Sequence, residues 1–166
     1  MSFNFTKMGN VMKVEFVDAK GNTINMEAEH LTAADVDILN SEIYTRKHIR
    51  QMIDNMDISA DAKSILNSIA QTTIAVGKNI IQIGKKILEI VLEILRKFPN
   101  ASYGLILGLL LGMLVSGIPI LGLAFGPFIT PLAAAFGLAS GWSNDLRDNA
   151  LTTKIFEANE RFSALR

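Results

Sequence analysis

The chain has 166 residues, 16 basic and 16 acidic side chains, no cysteine and 49% hydrophobic residues. A balanced charge lacks the basic excess that nucleic-acid binding needs. The missing cysteines exclude disulfides and thiolate metal sites. The zero net charge also hides an uneven distribution. Residues 1–58 carry six Lys/Arg against nine Asp/Glu, residues 59–100 carry six against three, and Phe98 to Asn144 carry none of either.

In residues 1–58 the alternation of Met12, Val14 and Phe16 with Lys13 and Glu15 predicts a strand. Ile24, Met26 and Ala28 predict a second, joined by a turn over Asp18 to Asn22. Phe3 and Phe5 alternate in the same way and suggest a further short strand. Two strands alone are marginal in water. A helix from Thr32 to about Met56 is expected to cover them, with Thr32 as N-cap and Asp35 as its partner in the first turn. These elements make a small α+β head. Arg46, Lys47 and Arg50, with His48, form a basic cluster, and Arg46 and Arg50 share a face at i, i+4 spacing. The cluster suits an anionic small molecule or nucleotide signal. The competing reading, and the favoured one, is a solvated face balanced by Glu42, Asp54 and Asp57.

Residues 59–98 read as one long helical stalk, capped by Ser59 and with Asp61 at its positive end. Ala62, Leu66, Ile69, Thr73, Val76, Ile80, Ile83, Ile87, Ile90 and Ile94 follow at steps of four and three, a heptad seam. Isoleucine at both core positions favours three or four strands over two, so a homotetramer is expected. The competing readings are a bundle within one chain and an amphipathic helix lying on a membrane.

Residues 99–142 are expected to form a transmembrane helical hairpin. About twenty apolar residues span a bilayer, which leaves room for two arms, Ala101–Ile118 and Ile120–Gly141, reversing at Ser116-Gly117-Ile118-Pro119. Gly104, Gly108, Gly112 and Ser116 recur every four residues, a stripe that permits close helix packing within or between chains. Thr130 and Ser140 join Ser116 as candidate polar pore-lining groups. Pro127 and Pro131 predict a kinked second arm. Tyr103 and Trp142 sit where interfacial aromatic belts form. Residues 143–166 read as a short amphipathic helix on Leu151, Ile155, Ala158 and Phe162, packing against the stalk.

The N-terminus has no secretory signal pattern, and Lys85, Lys86, Arg96 and Lys97 precede the first arm. The positive-inside rule then gives a multi-pass inner-membrane protein with both termini cytoplasmic. His30 and His48 have no metal-ligand spacing, and no phosphate loop or nucleophile motif occurs. No catalytic residue, metal or cofactor is therefore assigned, and the chain is expected not to be an enzyme. The fold class is a mainly α membrane protein. The expected function is a homo-oligomeric membrane pore or ion channel, gated at the head and depolarising the membrane. The alternative is a non-conducting anchor or scaffold that oligomerises through the stalk. The expected partners are the chain itself, the lipid bilayer and an anionic signal.

Two resemblances bear on this reading. The Phe98–Asn144 stretch resembles the apolar hairpin of pore-forming colicins, which is first buried inside a helical bundle; here too few amphipathic helices surround it for such burial to be expected. The layout of a signal-less head, the run ILEIVLEILRKF and then GLILGLLLGMLVSGIPILG is similar to small bacterial membrane-pore effectors of abortive-infection antiphage systems. That resemblance implies a sensor joined to a membrane-depolarising part, and transfers no functional residue.

Overall fold

The alternating segments pair as an antiparallel hairpin, β1 (Met12–Val17) and β2 (Thr23–Ala28), with Val14 opposite Met26 and Phe16 opposite Ile24. The turn closes on Asp18, whose carboxylate accepts the backbone N–H of Lys20 and Asn22, both at 2.8 Å. Gly21 supplies a φ of +84°, which residues with a Cβ rarely adopt. The structure is a computed structural model that describes residues 12–18, 20–28, 31–76, 78–99, 102–135 and 149–165. The strand suggested at Phe3 and Phe5, Ser140 and Trp142 lie outside the described residues.

The helix expected from Thr32 to Met56 is two helices, α1 (Ala33–Asn40) and α2 (Arg46–Asp54). Thr32 and Asp35 form the expected capping box, and Thr45 caps α2 through the His48 N–H at 3.0 Å. The intervening Ser41–Thr45 segment turns the chain onto a later helix, as described below.

The stalk is not one helix. It divides into α3 (Ala60–Ala70), β3 (Thr73–Val76), β4 (Asn79–Ile81) and α4 (Ile83–Lys97). Ser59 caps α3 as expected, accepting from the Ala62 N–H at 3.1 Å. The new strands join β1 in one antiparallel sheet of order β2-β1-β3-β4. Strand formation wins because Thr72 to Val76 and Ile80 to Ile81 are rich in β-branched residues, which pack well on a pleated sheet. The inner face of the sheet buries Val14, Phe16, Ile74, Val76 and Ile81.

The uncharged run forms α5 (Tyr103–Gly117) and α6 (Pro119–Ala135), joined at Ile118, which is extended. The chain closes with α7 (Asn149–Glu160) and a 3₁₀ turn at Ser163–Leu165. Helix α4 is the hub. It packs against α1, α2, α3, α5, α7 and β3, and every residue from Ile83 to Leu92 is buried.

Three expectations are corrected. No helix among the described residues is long and apolar enough to cross a membrane. At 1.5 Å per residue α5 and α6 run about 22 and 25 Å, against a hydrocarbon core of about 30 Å. The mainly α membrane fold, the transmembrane hairpin and the assembled ion channel are therefore overturned, and the multi-pass inner-membrane location goes with them. The long stalk is overturned by β3 and β4. The third correction concerns the sheath. A helix that is apolar all round is either a membrane span or a buried core element, and here α3, α4, α7 and β2 pack on the hairpin.

Candidate functional site

Helix α5 is the more enclosed arm. Tyr103, Gly104, Ile106, Leu107, Gly108, Leu110, Leu111 and Leu114 are buried. Of the small-residue stripe, Gly104 and Gly108 lie inside the chain's own packing and Gly112 is half-buried. Ser116 is exposed, and its hydroxyl donates to the Gly112 carbonyl at 2.6 Å. Tyr103 is buried rather than placed on an aromatic belt, and burial pushes its phenol up from the ordinary value.

Helix α6 crosses α5 closely. A Cβ on Gly122 would meet the Val115 carbonyl oxygen at 2.7 Å, so glycine sets this approach. Its inner face buries Ile120, Leu121, Ala124, Phe125 and Leu132. The Phe125 ring meets Phe16 of β1 edge-on, with centroids 5.4 Å apart and planes at 75°. Its outer face exposes Pro119, Leu123, Pro127, Thr130, Pro131 and Ala134, with no charged group among them. Leu123 is 56% exposed. Pro127 and Pro131 lack the N–H groups that would otherwise donate to the carbonyls of Leu123 and Pro127.

Helix α4 shows the opposite pattern. Lys85, Lys86 and Glu89 are 5%, 7% and 1% exposed. Glu89 is paired with Lys85 at 3.1 Å and Lys86 at 3.7 Å. The Ser41–Thr45 segment closes over them. Lys86 donates to the Ser41 carbonyl at 3.0 Å and hydroxyl at 2.9 Å, Lys85 meets Glu42 at 3.1 Å, and the Tyr44 N–H donates to Glu89 at 3.2 Å. A polar cavity of about 230 Å³ lies against this clasp. Tyr44 is held between His48, stacked at 5.0 Å, and the Arg96 guanidinium at 5.1 Å.

The i, i+4 spacing of Lys85 and Glu89 on α4 is a helical pairing distance; the second wall, Ser41 to Tyr44, comes only from the fold. On the same helix Glu93 pairs with Arg161 beyond α7, at 2.9 Å. The tail helix thus packs on α4 as expected, and on α5 as well.

The seam residues are drawn into the chain's own interior. Leu66, Ile69, Val76, Ile83, Ile87, Ile90 and Ile94 are buried, Thr73 is half-buried, and only Ile80 is open, at 60%. Thr130 is exposed on α6.

The basic cluster falls on a groove. Arg46, Lys47 and Arg50 of α2 face Asn67 and Ala70 of α3 and its C-cap Gln71 across about 500 Å³. Helix pairing supplies the geometry: Ile49 and Ile53 of α2 and Leu66 and Ile69 of α3 are buried, and the polar stripes flank that contact. Of the three carboxylates expected to balance the cluster, Glu42 is committed to Lys85. Among the described residues no carboxylate lies within ion-pair distance of Arg46, Lys47 or Arg50. Nor does any group of three His, Asp or Glu there come together to hold a metal ion.

No protein-family model, curated protein or solved structure matches the chain.

Proposed function

We propose that the protein is a non-catalytic effector that keeps an apolar hairpin packed within its own fold and acts by handing it to a lipid bilayer, where several copies open a pore. The observation that supports this is the pairing of two properties in α5–α6. The hairpin and its flanks carry no charge from Phe98 to Asn144, enough sequence for two spans once unpacked. Yet it is shorter than a span and half-sheathed, with the uncharged outer face of α6 left open. The sheath is amphipathic: α4 and α7 turn apolar residues toward the hairpin. In this reading the chain is similar in use to the colicin hairpin and in layout to the abortive-infection effectors. The resident form is the packed one, and membrane contact follows unpacking.

Self-association through the heptad seam is disfavoured, because its residues are already used in the core. A homo-oligomer would instead use the α6 outer face around Leu123, the surface that release of the hairpin exposes further.

Dye-loaded vesicles test the proposal. Trp142, the one tryptophan, follows the uncharged run and reports its surroundings. Purified protein is expected to release dye with a blue shift of Trp142 emission. A cysteine pair bridging α4 and α5, unambiguous in a chain without native cysteine, is expected to block both until reduced. Vesicles that stay intact with the reduced, unlocked protein, under conditions that loosen the fold, would exclude the reading.

A further inference from the structure

We infer that the groove between α2 and α3 is a binding site for a phosphate-bearing ligand. The inference does not rest on release of the hairpin. Arg46 and Arg50 lie at i and i+4 on one face of α2 with Lys47 beside them, and Asn67 of α3 and its C-cap Gln71 lie at i and i+4 on the facing side. Every polar side chain of this lining can donate hydrogen bonds, and none is a carboxylate. The groove therefore calls for a ligand rich in acceptors and negative in charge.

Like charges four residues apart on a helix repel. Arg46 and Arg50 carry that cost without relief, since no carboxylate among the described residues approaches them. Asp54, one turn beyond Arg50, forms no ion pair with it; the Asp54 backbone carbonyl accepts from Lys63 at 2.8 Å. A phosphate between the two arginines removes the repulsion, and the planar guanidinium forks match its oxygens in pairs. The amides of Asn67 and Gln71 address the same oxygens from the other wall. The groove, at about 500 Å³, falls within the range of small-molecule sites and exceeds one phosphate ion, so the phosphate is expected to carry an organic portion that reaches Ala70.

Two sources share this chemistry, a free phosphorylated metabolite and a lipid headgroup. The probes are inorganic pyrophosphate, followed by calorimetry, and phosphatidylcholine vesicles doped with either phosphatidic acid or phosphatidylserine, followed by sedimentation. Two variants are compared with the full wild-type chain. Arg46→Glu with Arg50→Glu reverses the charge of one wall. Asn67→Ala with Gln71→Ala leaves the charge untouched and removes donors from the other. All four side chains are exposed or half-buried, so folding is expected to persist, and circular dichroism checks it.

Saturable pyrophosphate binding that weakens about tenfold or more in the charge variant, and several-fold in the amide variant, assigns the groove to a free phosphate compound. Binding to phosphatidic acid over phosphatidylserine, lost in both variants, assigns it to a lipid phosphate. Absence of saturable binding to either probe overturns the inference. So does binding indifferent to the amide variant, which is attraction by net charge alone, or vesicle binding that survives both variants, which is the hairpin rather than the groove.

Discussion

Helices α4 and α6 invert each other. Helix α4 carries Lys85, Lys86 and Glu89 into the interior, whereas α6 carries no charge and turns Leu123 outward. Composition alone would assign them the other way round. The difference lies in what each helix meets. Charges can be buried where they are paired and their remaining donors satisfied, and the Ser41–Thr45 segment supplies those partners to α4. Helix α6 packs on α5, α3 and β2 and leaves its outer face open. The comparison teaches that exposure here follows topology, and that the hub helix is held by specific polar geometry as much as by apolar area.

The largest effect expected on the α4 side comes from Gly84. A Cβ there would collide with the Ile69 carbonyl oxygen and the Thr72 hydroxyl, where α4 begins beside the end of α3. Thr72 is itself fixed, its hydroxyl donating to the Ile69 carbonyl at 2.7 Å. Gly84→Ala is expected to cost more than the roughly 1–3 kcal/mol of ordinary overpacking, because the obstacle is backbone. Urea unfolding measures it. A midpoint equal to wild type would mean that α3 and α4 do not approach this closely, and the hub would lose its anchor.

Next comes the buried charge cluster. Glu89→Ala leaves Lys86 buried without a carboxylate and Lys85 with Glu42 alone, and is expected to cost about 3–5 kcal/mol. Replacing Lys85, Lys86 and Glu89 together by Met is expected to recover most of that loss, since apolar packing often equals a buried ion network. A Glu89→Ala protein as stable as wild type would show the cluster to be hydrated and the contrast with α6 to be shallow.

Legibility in the sequence followed the same divide between local and tertiary causes. The β1–β2 hairpin, the Thr32–Asp35 capping box, the Ser59 cap and the α7 periodicity depend on neighbours in the chain, and each reads directly. The stalk did not, because steps of four and three through Leu66, Ile69, Thr73, Val76 and Ile80 also fit a helix, strand and hairpin folded back on one another. The β-branched run at Thr72 to Val76 was the available signal against a continuous helix. The hairpin failed for a different reason. An uncharged run has the same pattern whether lipid or protein surrounds it, and its short helices are set by the break at Ile118–Pro119. One wall of the α2–α3 groove was legible as the spacing of Arg46, Lys47 and Arg50; Asn67 and Gln71 arrive only by packing.

The smallest stability effect, and the sharpest test of the α6 side, is Leu123→Lys. Surface substitutions away from special features usually stay within about 0.5 kcal/mol, and Leu123 already faces outward. The unfolding midpoint is therefore expected to be unchanged. Dye release and self-association are expected to fall, because a charge near the centre of an apolar segment opposes transfer to hydrocarbon by about 2.5–3.5 kcal/mol. Sedimentation velocity and the vesicle assay read the two outcomes separately. A large loss of stability would mean that Leu123 is covered in solution, and α6 would no longer be the open counterpart of α4. Unchanged stability with unchanged dye release would leave the inversion standing as a feature of the fold and remove it from the mechanism.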